Sequence, residues 1–191
     1  MTTDVQKHPL EVFQYCPRCG SSHFVEKNGK SKQCEECSFV YYLNPSAACA
    51  CIITDRLNNV LIAIRRADPA AGSWDLPGGF IDMHESVERG LAREILEETG
   101  IDVRQGTRGG LHGKLRYLFS IPNTYTYKGF DVPTVDLFYH IEIESVLPYV
   151  GKGNDDVAEL IAVPFVELQP ERFGLSSIQR AIKALKDKHL L

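Results

Sequence analysis

The chain has 191 residues, 43% of them apolar and 24% charged, which leaves room for one ordinary domain plus a small appendage and excludes wholesale disorder. Its 21 Lys and Arg against 25 Asp and Glu give a net charge of −4, which argues against nucleic-acid binding by bulk electrostatics. No apolar run approaches the ~18–20 residues of a membrane span, and the opening MTTDVQKHPLEVFQ lacks an apolar signal core, so a cytoplasmic location without a membrane partner is expected.

In chain order, residues 1–44 are polar and turn-forming and carry four of the six cysteines. So short a segment cannot bury enough surface to fold on its own core. Asn44-Pro45 marks a boundary, and residues 45–191 are expected to form one α/β domain. Within it, Ala47 to Thr54 reads as a buried strand, Asp55 to Asn59 as a turn and Val60 to Ile64 as a second strand. Ala67 to Gly79 reads as a Gly- and Pro-rich loop. From about Ser86 to Thr99 the apolar residues Val87, Leu91 and Ile95 recur every four positions, which predicts a helix ended by Gly100. Leu115 to Tyr127 and Thr134 to Ile143 are strand-like around a turn at Lys128-Gly129, and Ala158 to Val163 is a short strand. Ser177 to about Lys188 is an amphipathic helix, with Ile178, Ile182 and Leu185 on one face.

Cys16-Pro-Arg-Cys19-Gly20 and Cys34-Glu-Glu-Cys37 are two Cys-x-x-Cys pairs 14 residues apart. Each pair can clasp one side of a tetrahedral ion, and four thiolates leave no open position, so one structural Zn²⁺ is expected on Cys16, Cys19, Cys34 and Cys37. His23 reads as a loop histidine rather than a ligand. Cys49 and Cys51 read as small core residues of an apolar strand.

The segment from Gly79 to Ile101 is dense in carboxylates. At about 100° per residue, Glu94, Glu97 and Glu98 fall within roughly 100° of arc on one helical face, with Asp82, Glu85 and Glu88 close by. Such a cluster suits hard divalent cations, Mg²⁺ or Mn²⁺. Arg93 can pair with Glu97 one turn on, and Glu85 with Arg89. A solvated charged face is the plain alternative.

The full spacing goes further. Gly79, Glu85, Arg93-Glu94-Ile95, Glu97-Glu98 and Gly100-Ile101 reproduce the box of the Nudix hydrolases: Gly, five residues, Glu, seven residues, Arg-Glu-aliphatic, one residue, Glu-Glu, one residue, Gly-aliphatic. The preceding Trp74-Asp-Leu-Pro-Gly78 also resembles the usual run into that box. The resemblance implies a Nudix fold, a mixed β-sheet sandwiched between helices, preceded here by a small zinc ribbon. It implies metal-dependent hydrolysis of a nucleoside diphosphate linked to some group X. By the same resemblance Glu94 and Glu98 are the main metal ligands, Glu97 a further one, and the Gly79 carbonyl another. Glu85 and Arg93 orient them.

Around the box, Arg65 or Arg66 could reach a substrate phosphate or could simply end a strand. Trp74 is expected to pack rather than stack on a base. The loop from Arg104 to Lys114, with four glycines, could be a mobile phosphate-side loop or a plain connector. For the general base, a box glutamate competes with Asp155, Asp156 or Glu159. A four-cysteine ribbon ahead of a Nudix domain resembles the NADH pyrophosphatases, yet their Ser-Gln-Pro-Trp-Pro-Phe-Pro-x-Ser run is absent between Gln105 and Ser120. Arg116 stands where ADP-ribose hydrolases often carry proline, and Tyr117, as a substrate-binding candidate, resembles a cue of diadenosine polyphosphate hydrolases. Expected partners are therefore a nucleoside diphosphate derivative and, where X needs more contacts, a second copy of the chain as a homodimer. The alternatives from other classes are a nucleotide-binding regulator without catalysis, and a zinc-ribbon adaptor for RNA or protein using Arg18, Lys27, Lys30, Lys32, Phe39, Tyr41 and Tyr42.

Overall fold

The computed structural model describes residues 7–103 and 115–188. The chain divides into two compact units: Met1–Pro45 with Tyr125–Pro133, and Ser46–Thr124 with Thr134–Leu191. The first unit holds a three-stranded antiparallel sheet of β1 (Phe24–Asn28), β2 (Ser31–Cys34) and β3 (Val40–Tyr42), in that order. Among the described residues its buried apolar cluster is Cys16, Phe24 and Cys34, with Cys37 and Phe39 packed beside it, and Leu10 is buried apart from that cluster. None of these strands is legible from hydrophobic alternation, because the unit has so little to bury.

The second unit is built on an eight-stranded mixed sheet. Its main path runs β10 (Gly151–Lys152), β11 (Val157–Pro164), β5 (Asn59–Arg65), β4 (Ser46–Asp55), β9 (Phe130–Ile143) and β8 (Arg116–Tyr127). β4 and β9 are parallel over ten residue pairs, from Ser46↔Thr134 to Asp55↔Ile143. The segment read as a plain loop before the box holds two short strands. β6 (Trp74–Asp75) pairs with β5, and β7 (Gly78–Phe80) pairs with β4. Their glycines and proline hide them from pattern reading, and pairing with long neighbours makes them.

Two helices cover the sheet. α1 (Val87–Thr99) begins at an N-cap Ser86, whose hydroxyl accepts the Arg89 N–H, and ends at Gly100 in the left-handed conformation, φ 76°. α2 (Ser176–Lys188) closes the chain. Strand residues alternate between the helices. Cys49, Cys51 and Ile53 of β4, Leu61 and Ala63 of β5, and Tyr139 and Ile141 of β9 pack with Leu91 and Ile95 of α1. Ala50 and Ile52, Val60 and Ile62, and Phe138 pack with Ala181, Ile182 and Leu185 of α2. Burial on both faces explains why β4 reads as one unbroken apolar run. This is the expected mixed sheet between helices, and Cys49 and Cys51 are core residues as expected.

Candidate active site and four-thiol centre

The box folds as loop, helix and loop, and α1 sorts its acids by angle. At 100° per residue Glu98 falls about 20° from Leu91, inside the apolar stripe, while Glu97 falls about 120° away. Glu98 is accordingly buried, Glu94 half-buried and Glu97 exposed. A Glu98 carboxylate oxygen accepts the Gly78 N–H at 2.9 Å. Burial, with the charges of Asp75, Glu94 and Asp155 adding to it, pushes the Glu98 carboxyl up to about 8. Burial also raises Glu94.

Arg93 holds the outer acids. Its guanidinium donates to Glu85 at 2.7 Å, to Glu94 at 2.7 Å and to Glu97 at 3.3 Å, and to the Phe80 carbonyl at 3.2 Å. The expected Arg93–Glu97 pair is present, whereas Glu85 takes Arg93 rather than Arg89. The loop before Ser86 turns Glu85 back so that it also accepts the Asp82 N–H, and the Arg93 hydrogen bond holds its carboxyl below the usual range. Arg93 therefore offsets Glu94, and no arginine or lysine ion pair reaches Glu98 among the described residues. A buried carboxylate left with one backbone donor could serve as a ligand to a divalent cation.

The glycines before the helix make the approach possible. A Cβ on Gly79 would stand 2.7 Å from the Glu94 carboxyl, and one on Gly78 would stand 2.1 Å from the Cys49 carbonyl oxygen. Gly78 also has φ 150°. The two should respond differently to alanine. Gly78→Ala meets backbone and should cost at least ~1–3 kcal/mol, read as a lower melting temperature. Gly79→Ala meets the end of a flexible side chain, so it should leave the melting temperature nearly intact, displace Glu94 and weaken Mn²⁺ binding. Equal losses of stability in the two variants would contradict this geometry. The Cys49 thiol donates to the Gly79 carbonyl at 3.5 Å, a contact that its reading as plain core missed.

The two arginines at the end of β5, Arg65 inside it and Arg66 just past it, are already engaged. Arg65 donates to Asp75 at 2.5 Å and to the Pro69 carbonyl at 2.8 Å. Asp75 is buried, and that burial raises its carboxyl against the pull of Arg65. Arg66 donates to three backbone carbonyls, those of Gly153, Asp155 and Val157. Trp74 packs as expected, edge-on against Phe173, with the Arg172 guanidinium 3.8 Å from its ring centre. Tyr117 is half exposed and lies edge-on to Tyr139, whose hydroxyl donates to Glu88 at 3.2 Å. Of the three general-base candidates, Asp155 bears electrostatically on both Glu94 and Glu98. Asp156 contributes its carbonyl to the Arg66 N–H, and Glu159 stands opposite Lys152 on the β10–β11 ladder. The loop from Arg104 to Lys114 lies outside the described residues.

In the other unit, the sulfurs of Cys16, Cys19, Cys34 and Cys37 all lie within 4.8 Å of one another. Cys16 and Cys37 are 3.7 Å apart, and Cys19 and Cys34 are 3.6 Å apart. Four sulfurs at ~2.3 Å from one tetrahedral zinc would be separated by about 3.8 Å, so the cluster could hold that ion with little adjustment. Backbone N–H groups of Cys37 and Glu36 hold the Cys34 thiol below its ordinary range, toward the thiolate a metal requires. His23 pairs with Glu36 instead.

Fold and box together define a Nudix-type α/β sandwich. The chain belongs to the NUDIX domain family, whose model matches residues 43–179. It is 30% identical over 96 residues to the NAD-capped RNA hydrolase NudC of Vibrio atlanticus, an alignment covering 50% of this chain and 35% of that one. The chain thus spans about a third of the length of such curated relatives. Among solved structures it is similar to a NUDIX hydrolase from Nitrosomonas europaea, with TM-score 0.62 and 20% identity, covering 92% of this chain and 91% of that one. It is also similar in fold to the NUDIX domain of Shewanella oneidensis NrtR complexed with ADP ribose, with TM-score 0.55 and 17% identity, covering 78% and 90%. No helix among the described residues is long and apolar enough to cross a membrane.

Proposed function

We propose that this chain is a divalent-cation-dependent hydrolase of the pyrophosphate bond in a nucleoside diphosphate linked to a second group, such as ADP-ribose, NAD(H) or a diadenosine polyphosphate. The observation that carries the reading is Glu98, a buried carboxylate beside Glu94 and Asp155 whose hydrogen bond is from a backbone N–H. Glu94 and Glu98, joined by Glu97 and the Gly79 carbonyl, are the groups proposed to hold Mg²⁺ or Mn²⁺. Bound there, such ions would offset the charge of the phosphates and make water a better nucleophile. Arg93 and Glu85 keep the glutamates in fixed rotamers through the bonds described above. Beside a box glutamate, Asp155 is the general-base candidate with electrostatic support, and Tyr117 offers an open aromatic face for a base. Residues 1–44 are proposed as a ribbon closed by zinc, with 45–191 as the catalytic domain. A second copy of the chain is a further candidate partner.

The relatives support this substrate class without narrowing it. One is named for NAD-capped RNA and one fold neighbour was complexed with ADP ribose, both nucleoside diphosphates carrying another group. The absence of the Pro-Trp-Pro-Phe run argues against NADH as the outstanding substrate. The test is product analysis on NADH, NAD⁺, ADP-ribose, FAD, diadenosine polyphosphates and a UDP-sugar under saturating Mg²⁺ or Mn²⁺. Cleavage of at least one compound is expected, with no advantage for NADH above ~10²-fold in kcat/KM, or about 2.7 kcal/mol of differential transition-state binding. Binding without cleavage of any compound would replace the hydrolase by a nucleotide-binding regulator.

A further inference from the structure

The last residue of β5, Arg65, and the residue after it, Arg66, brace two different segments beside the box. Arg65 reaches Asp75, and Arg66 reaches the turn between β10 and β11. One Arg66 nitrogen donates to the Asp155 carbonyl at 2.5 Å. The other donates to the Val157 carbonyl at 2.6 Å and to the Gly153 carbonyl at 3.3 Å. The Arg66 backbone N–H adds a bond to the Asp156 carbonyl at 2.8 Å. The arginine thus gathers carbonyls of residues 153, 155, 156 and 157. Three carbonyl dipoles converging on one point repel each other unless a cation sits between them, and a planar fork of five donors meets several at once where an ammonium meets fewer.

The same turn is tied to the box helix. The Asn154 N–H donates to the Glu98 carbonyl at 3.3 Å. Between these anchors Asp155 adopts φ 47°, the left-handed region, which aspartate enters more readily than most side chains.

We propose that Arg66 is a positioning residue that clamps the 153–157 turn onto the end of α1 and so delivers the Asp155 carboxylate to the box as a further acid of the site. Its role is then to set a loop rather than to grip a substrate phosphate. The electrostatic effect of Asp155 on both Glu94 and Glu98 agrees with that placement. The clamp is a property of the fold, whereas its contribution to turnover rests on the hydrolase reading above.

The experiment uses the full chain and the variants Arg66→Ala, Arg66→Lys, Asp155→Asn and the Arg66→Ala/Asp155→Asn double. Backbone amide hydrogen exchange across residues 151–158 reads the clamp with no substrate present. Arg66→Ala should speed exchange at Asn154 and Val157 by ~10-fold or more, and Arg66→Lys by less. Calorimetric titration with Mn²⁺ alone reads the delivery of the acid. Arg66→Ala and Asp155→Asn should each weaken binding by ~10-fold, and the double should be no weaker than Asp155→Asn, because the arginine acts through that carboxylate. Where the wild type turns over a substrate, kcat should follow the same non-additive pattern. Unchanged exchange in Arg66→Ala overturns the clamp. Unchanged Mn²⁺ affinity in Asp155→Asn, or fully additive losses in the double, overturns the delivery of Asp155. A wild type that cleaves none of the compounds defeats the hydrolase reading instead, and the exchange and Mn²⁺ measurements still decide the role of Arg66.

Discussion

Replacing Glu98 by glutamine is expected to lower kcat by ~10²-fold or more while making the cation-free protein more stable at alkaline pH. The amide keeps the shape of the side chain and can still accept the Gly78 N–H, so the loop–helix junction survives. What disappears is the charge proposed to hold the cation. The stability gain follows from burial. The Glu98 carboxyl is raised from an ordinary value near 4.5 to about 8 in the folded chain. Folding therefore favours its protonated form. Stability is full below the unfolded value near 4.5, falls as pH rises and is fully lost above about 8. At one pKa unit per ~1.4 kcal/mol the wild type gives up on the order of a few kcal/mol by pH 9, and Glu98→Gln gives up none of it. Thermal denaturation from pH 5 to 9 without added Mg²⁺ or Mn²⁺ should show the two melting curves parting above pH 5, the variant higher. Saturating Mg²⁺ should close the gap by stabilising only the wild type. Near-normal turnover in Glu98→Gln would remove Glu98 from the proposed metal site, and coincident melting curves at pH 9 would contradict the raised carboxyl.

Cys34→Ser should release the zinc and unfold the small N-terminal sheet. Cys34 is fully buried and forms, with Cys16 and Phe24, nearly all of the apolar cluster of that unit. Such a cluster cannot offset the entropy of ordering some forty residues. Structural zinc contributes an apparent ~10–16 kcal/mol to folding in small domains, far more than these side chains supply by burial. Elemental analysis should find about one zinc per wild-type chain and about none in the variant. Proteolysis should then cut between Cys16 and Cys37 in the variant and leave the wild type intact there. Native wild-type protein with four freely titratable thiols and an intact ribbon would show that the sheet stands without metal.

The strongest sequence signals were local. The period of Val87, Leu91 and Ile95 gave α1 within a residue, with Gly100 ending it, while Ser86, read as its first residue, is its N-cap. The apolar runs gave β4 and β5, because strands buried between two helices carry apolar residues on both faces, and the shorter run from Ala158 to Val163 gave β11. Strands β1 to β3, β6, β7 and β10 were invisible, being two to five residues long and made by their partners rather than by their own pattern. Helical arithmetic on Glu98 and Leu91 was available from the chain alone and already put that acid in the apolar stripe.

What the sequence alone determined, then, was the chemical inventory: four thiols at ribbon spacing, and a 23-residue box that sets Glu94, Glu97 and Glu98 on one helix. Spacing fixes such sets because a turn or a helix converts it directly into proximity. Which acid is buried without a salt bridge, and what each arginine holds, was decided by tertiary structure. The Arg66 bond to Asp155 spans 89 positions, and the Tyr139 bond to Glu88 spans 51. Arg65 could reach a phosphate or simply end a strand equally well until β6 pairs with β5 and sets Asp75 beside it. Burial and charge neighbours arise only when distant strands meet, so the electrostatics of this site belongs to the fold.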